Sequence, residues 1–183
     1  MIDPRTQTVT RSRKKSAVPL SNLRTSEVVR VVVDHPKRLD ELIGMLEDRN
    51  LAVRGRAAAT IGRLSESHPR RLVRILARIQ DGLSDDSASV RWSLVYALGR
   101  IAAAYPNCIA ETLTSLVEAV EDNNRLVRIL ACRAIARIYS IRPQQVQGYF
   151  ENGKKAMPES VARSLKKTEN RRTRPKRSTR LPE

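Results

Sequence analysis

The chain has few of the residues that carry chemistry. Its 183 residues include two cysteines, two histidines and seven glycines. Cys108 and Cys132 show no C-x-x-C spacing and no clustered histidine, so neither a disulfide framework nor a zinc site organises the fold. They read as small apolar residues on helices. The glycines form no G-x-G-x-x-G, P-loop or G-x-S-x-G pattern, and no H-E-x-x-H occurs. Phosphate-cradling loops, a nucleophile elbow and a metalloprotease helix are thereby excluded. His35 and His68 each precede a proline at one sequence phase, which marks a structural junction rather than a catalytic base. No apolar run approaches the roughly 20 residues of a membrane-spanning helix. The expectation is a soluble, non-enzymatic, monomeric protein of the cytoplasm with no cofactor, no metal and no membrane partner.

Acidic residues are the scarcer charge. The formal net charge is +16, and its distribution is uneven. Residues 1–33 carry seven Lys/Arg against two acids, residues 34–143 seventeen against thirteen, and residues 144–183 eleven against four. The middle is mildly basic and both ends are strongly so. Basic ends meet nucleic acid or another acidic surface, and a nuclear location follows if the source is a eukaryote.

What the sequence does contain is one stretch written three times. Asp48-Arg49-Asn50-Leu51-Ala52-Val53-Arg54 returns as Asp85-Asp86-Ser87-Ala88-Ser89-Val90-Arg91 and as Asp122-Asn123-Asn124-Arg125-Leu126-Val127-Arg128, 37 residues apart each time. Leu-Gly-Arg or a close variant follows at Ile61-Gly62-Arg63, Leu98-Gly99-Arg100 and Ile135-Ala136-Arg137. A fixed period without insertions is a strong repeat signal. Pro36, Pro69, Pro106 and Pro143 each open a helical pattern, where proline at the first position loses no hydrogen bond. Leu72, Leu76, Ile79 and Leu83 recur as one helix face. From Pro36 to Leu46 is four residues fewer than from Pro69 to Leu83, so the first repeat's leading helix is shorter by about one turn. Asn50, Ser87 and Asn124 stand as N-caps of the second helices.

The pattern of Asp, then Val-Arg, then Leu-Gly or Ile-Gly resembles the second helix of a HEAT repeat, over about residues 27–150. The tetratricopeptide pattern of Trp, Leu-Gly and Tyr is absent. The resemblance implies an all-α fold, a right-handed α-solenoid of antiparallel helix pairs with period 37. The expected organisation is a basic disordered arm over 1–24 and a solenoid over 25–150. Within the solenoid come a cap helix at 26–33 and repeats at about 35–67, 68–104 and 105–141. A partial fourth repeat or capping helices follow at 142–167, with Val161, Ala162 and Leu165 inward, and then a basic disordered tail at 168–183.

The resemblance also implies a ladder between stacked repeats, in which Asp48, Asp85 and Asp122 face Arg54, Arg91 and Arg128. Second helices line the concave side of such a superhelix, which places Trp92, Tyr96, Ile129 and Arg133 there as a partner-binding patch. Aromatic and arginine side chains are hot-spot chemistry for a protein and stacking chemistry for bases. Arg70, Arg74 and Arg78 form a basic ridge on the outer side. The functional expectation is an adaptor that binds a protein or peptide along the concave face. The alternative is a nucleic-acid-associated protein that grips phosphate through Lys166, Lys167, Arg171, Arg172, Arg174, Lys176, Arg177 and Arg180. A narrower alternative is a HEAT-like alkylpurine DNA glycosylase using Trp92 and Arg133, for which Glu66 is the one carboxylate on the same face.

Overall fold

A computed structural model of the chain describes residues 18–153 and 156–173, the last three through their backbone alone. Among the described residues there is no strand. The helices are α1 (Thr25–Asp34), α2 (Leu39–Gly44), α3 (Leu51–Ser67), α4 (Pro69–Leu72), α5 (Leu76–Asp81), α6 (Ala88–Ala104), α7 (Ile109–Ala119), α8 (Arg125–Ile141), α9 (Pro143–Glu151) and α10 (Glu159–Thr173). Short 3-10 turns extend α2, link α4 to α5 and lead into α7. The result is an all-α solenoid built from helix pairs.

The repeat sets the layers. In each pair a leading helix opens at a proline and a longer second helix follows. The second helices α3, α6, α8 and α10 pack side by side, with α1 against α3. The leading helices form the other layer, where α7 contacts α9. Leu42, Ile61, Leu64, Leu72, Ile79, Leu94, Leu98, Ile101, Leu113 and Leu116 are fully buried between the layers. The run Pro36–Glu47 is four residues shorter than Pro69–Ser84, the one-turn difference expected from the sequence. Each second helix ends the same way. The N–H groups of His68, Tyr105 and Arg142 donate to Leu64, Ile101 and Ile138, and the next proline begins a new helix.

The starts of the second helices are alike in their loops and unlike in their caps. Asn50 Oδ1 accepts from the Ala52 N–H at 2.9 Å, and Asn124 Oδ1 from those of Leu126 and Val127 at 2.9 and 3.4 Å. Ser87 holds the same position but makes no such bond. Its hydroxyl pairs with that of Ser89 at 2.8 Å, because a serine side chain is short enough to be satisfied locally.

At both ends the described structure departs from the organisation expected from the sequence. Residues 18–24 dock on the first repeat instead of belonging to a disordered arm. Leu20 is fully buried and its N–H donates to Glu41 Oε1 at 2.7 Å. Arg38 Nη2 donates to the Val18 carbonyl at 2.7 Å, and Arg56 holds the Ser21 carbonyl. At the other end α10 continues through residues 168–173, assigned above to the tail. Val161 and Leu165 anchor it in the core, and the Tyr139 hydroxyl donates to Glu169. Ala162 is exposed, so it is not one of the inward positions.

Candidate functional site

The phased charges resolve into a ladder with an offset. Arg54 Nε donates to Asp85 Oδ2 at 2.7 Å, and Arg91 Nε to Asp122 Oδ2 at 2.7 Å. Each arginine therefore reaches the aspartate of the following repeat, not its own. Towards its own loop it donates through Nη1 to backbone: Arg54 to the Asp48 and Arg49 carbonyls, Arg91 to those of Asp85 and Asp86. The other carboxylate oxygen closes its own loop. Oδ1 of Asp48, Asp85 and Asp122 accepts from the N–H of Asn50, Ser87 and Asn124 at 2.7, 2.8 and 2.7 Å. A planar guanidinium can serve both directions at once, which a lysine cannot.

Burial and charge act against each other at these aspartates. Asp85 loses solvation, which raises its pKa, yet the bond from Arg54 and the Ser87 N–H leave it below the ordinary carboxylate value. The bond from Arg91 lowers Asp122 most, against its own burial. Arg128 repeats the backbone half of the rung, donating to the Asp122 and Asn123 carbonyls at 2.7 and 3.0 Å. It has no carboxylate partner among the described residues, because α10 starts at Glu159, the residue in phase with Asp122, and Glu159 accepts from Arg163 instead. The ladder is thus structural, with two complete rungs.

The outer ridge is also structural in part. Arg74 lies 3.6 Å from Asp40 and donates to the Pro36 carbonyl at 3.1 Å. Arg78 pairs with Glu47. These arginines tie the second leading helix to the first.

The face of the second-helix layer carries the remaining candidates, and it divides them. Trp92 on α6 and Ile129 on α8 occupy one phase of the repeat and are 37% and 36% exposed. Arg133, one turn beyond Ile129, is exposed as well. Tyr96 is set apart from these three. Its hydroxyl donates to Glu66 Oε1 at 2.5 Å and accepts from Arg100 Nη1 at 3.1 Å, and the Arg100 guanidinium lies 5.3 Å from its ring centre. The bond to Glu66, with burial second, raises the Tyr96 pKa, while Arg100 opposes both. Tyr96 bridges α3 to α6 and is less a free contact residue than the sequence suggested.

Gly62 and Gly99 lie at the seams between second helices. A Cβ on Gly99 would come within 2.5 Å of Ala134 Cβ, so the missing side chain lets α6 and α8 approach.

One group of residues was not assembled from sequence. Between α8 and α10 lies an open cleft of roughly 490 Å³ lined by Arg133, Arg137, Lys167, Ser140, Ser164 and Thr168. Arg137 was legible only as a repeat position, in phase with Arg63 and Arg100. Of the tail candidates, Lys166 and Lys167 are exposed on α10. Arg171 and Arg172 fall on the same helix with undescribed side chains, and Arg174, Lys176, Arg177 and Arg180 lie outside the described residues. Cys108 and Cys132 are free, and no cluster of metal-ligating side chains occurs among the described residues. No described helix is long and apolar enough to cross a membrane.

Comparison with known proteins adds three findings. The family of sister chromatid cohesion protein PDS5 matches residues 6–166. Among solved structures, a designed armadillo repeat protein in complex with the peptide (KR)4 is 21% identical at a TM-score of 0.58, covering 80% of this chain and 68% of its own. A second designed armadillo repeat protein is 21% identical at a TM-score of 0.57, covering 81% and 71%. These two share the solenoid fold. No curated protein matches the chain.

Proposed function

The chain belongs to the family of sister chromatid cohesion protein PDS5, and from that premise we propose that it is a non-enzymatic scaffold. It holds an extended acidic segment of a partner protein against the open face of its second helices. The observation that carries this reading is the exposure of Trp92 and Ile129 on adjacent helices, flanked by Arg133. Leu51, Leu126 and Ile141, at the helix ends, are more exposed still, but Trp92 and Ile129 stand within their helices at one repeat phase beside arginine. Partly exposed large apolar side chains beside arginine are what interface hot spots are made of.

Charge selects the partner. The designed armadillo relative is in complex with a basic peptide. Here Arg63, Arg133 and Arg137 are exposed on the second helices, so the complementary segment is acidic. Glu66, the carboxylate in reach of the Trp92 face, is engaged by Tyr96, which favours binding over general-base chemistry. The family name points to sister chromatid cohesion, and the corresponding location is chromatin in the nucleus rather than the cytoplasm.

Trp92 is the only tryptophan, so its emission reports on the face directly. Titration with an acidic peptide should shift that emission, and titration with (KR)4 should not. By anisotropy of a labelled acidic peptide, which needs no tryptophan, Trp92→Ala and Arg133→Ala should each weaken binding by roughly tenfold, the cost of about 1.4 kcal/mol. Equal affinity for the acidic and basic peptides removes this reading.

A further inference from the structure

The cleft between α8 and α10 gathers three cations with no acid in its lining: Arg133 and Arg137 from α8, and Lys167 from α10. None of the three charged groups is hydrogen-bonded or ion-paired to a described residue. They are unlike Arg54, Arg91, Arg74 and Arg78, each of which is neutralised by a carboxylate of a neighbouring repeat. The floor is Ala136, at the phase where the two earlier seams have Gly62 and Gly99.

The hydroxyls of the cleft have committed their protons. Ser140 donates to the Arg137 carbonyl at 2.7 Å, Ser164 to the Cys132 carbonyl at 3.4 Å, and Thr168 to the Ser164 carbonyl at 3.0 Å. Donors toward a ligand therefore come from guanidinium and ammonium groups alone, and the ligand must be an acceptor. A single carboxylate offers one negative charge to three cations. A phosphate monoester offers close to two, with three acceptor oxygens that suit the planar fork of arginine.

We propose that this cleft receives the phosphate of a phosphoserine or phosphothreonine in the acidic segment held by the second-helix face. The proposal rests on the function argued above and adds a modification that controls it. Arg133 joins the two parts, since it lines the cleft and flanks Ile129. A segment crossing Trp92 and Ile129 thus delivers a side chain to the cleft one helix further on.

The test uses the full chain and two fluorescein-labelled acidic peptides that differ only in carrying phosphoserine or serine. Anisotropy should show the phosphopeptide binding roughly tenfold tighter, as charge-assisted hydrogen bonds allow. The double variant Arg133→Gln/Arg137→Gln should lose that difference, and Lys167→Gln should reduce it. Arg70→Gln, on the other layer, should keep it, and circular dichroism should show all variants folded. If both peptides bind equally and move Trp92 emission alike, the phosphate site falls while the acidic-segment reading stands. If neither peptide moves that emission, the acidic-segment reading falls and takes this proposal with it. If Arg70→Gln matches the double variant, the gain is general charge and the site is overturned. If a DNA duplex displaces the phosphopeptide and the double variant loses the duplex equally, the cleft serves a nucleic-acid backbone and the proposal is overturned.

Discussion

Arg91 holds two repeats together with one guanidinium: Nε donates 2.7 Å to Asp122 Oδ2 ahead of it, and Nη1 donates 2.7 Å to the Asp85 carbonyl behind it. Nη2 adds Asp122 Oδ1 and Asn123 Oδ1 at 2.9 and 2.8 Å. The side chains of Arg91 and Asp122 are 9% and 11% exposed. In a solenoid each repeat is stabilised only by its neighbours, so a bond across the seam acts on both.

Arg91→Ala should therefore destabilise more than Arg78→Ala. Removing one partner of a buried pair costs about 3–5 kcal/mol. Arg91 and Asp122 line an open pocket with Ser115 and Glu118, and solvent reaching them there reduces the expected loss to about 2 kcal/mol. Arg78 and Glu47 are 47% and 60% exposed, where the loss stays below about 1 kcal/mol. Arg128→Ala should fall between them, since it breaks two backbone bonds and strands no carboxylate. Thermal melts of the three variants decide this, and equal melting temperatures for Arg91→Ala and Arg78→Ala remove the ladder's role.

The period of 37 was readable because the same residue types recur at the same phase, and it carried the helix order, the N-cap positions and the composition of the ladder. It did not carry the offset. Sequence phase shows that Asp and Arg repeat together, but not whether a long side chain folds back or reaches forward. The docking of the two end segments is not carried by the period either. Segment 18–24 is fixed by buried Leu20 and by bonds between its backbone and Glu41, Arg38 and Arg56. Segment 168–173, which has no large apolar residue, is fixed by the bond of Glu169 with Tyr139. No periodicity announces any of these contacts. The α8–α10 cleft has no sequence signal, because Lys167 stands in the basic C-terminal run and Arg137 at a repeat phase, and only the packing of α10 on α8 brings them together.

Acid should weaken the ladder. Asp85 and Asp122 have pKa values below those of the unfolded chain. Their stabilisation is fully present above the unfolded aspartate pKa of about 3.9 and is lost as pH falls through the folded values. The melting temperature of the wild type should exceed that of Asp85→Asn/Asp122→Asn at pH 6. The gap should close below about pH 4. A gap that is constant from pH 6 to about 2.5 shows that the charge on these groups is not what stabilises the seam.

Two glycines on second helices should respond in opposite directions. A Cβ at Gly99 would lie 2.9 Å from the Ala134 backbone as well as 2.5 Å from its Cβ. Gly99→Ala must push α6 and α8 apart and should cost about 2 kcal/mol, as overpacking does. Gly55 has nothing within 4 Å of the added atom. Gly55→Ala should gain about 0.5–1 kcal/mol from helix propensity. Chemical denaturation measures both, and a stabilising Gly99→Ala contradicts the close approach.

The basic C-terminal segment can be separated from the solenoid by where it is cut. If about five of the eight cations from Lys166 to Arg180 pair with duplex phosphates, log affinity against log salt should have a slope of about −4.5. Ending the chain after Thr173 removes Arg174, Lys176, Arg177 and Arg180 and leaves α10 complete. The slope should then fall to about half, since half of the cations remain, with no change in melting temperature. Ending it after Lys167 also removes Glu169 and its bond from Tyr139, so the melting temperature should drop as well. Salt-dependent binding to a DNA duplex, measured on the three lengths, distinguishes the roles. If all three bind with the same slope, these cations do not contact the polyanion, and affinity for nucleic acid has to come from the arginines of the repeats.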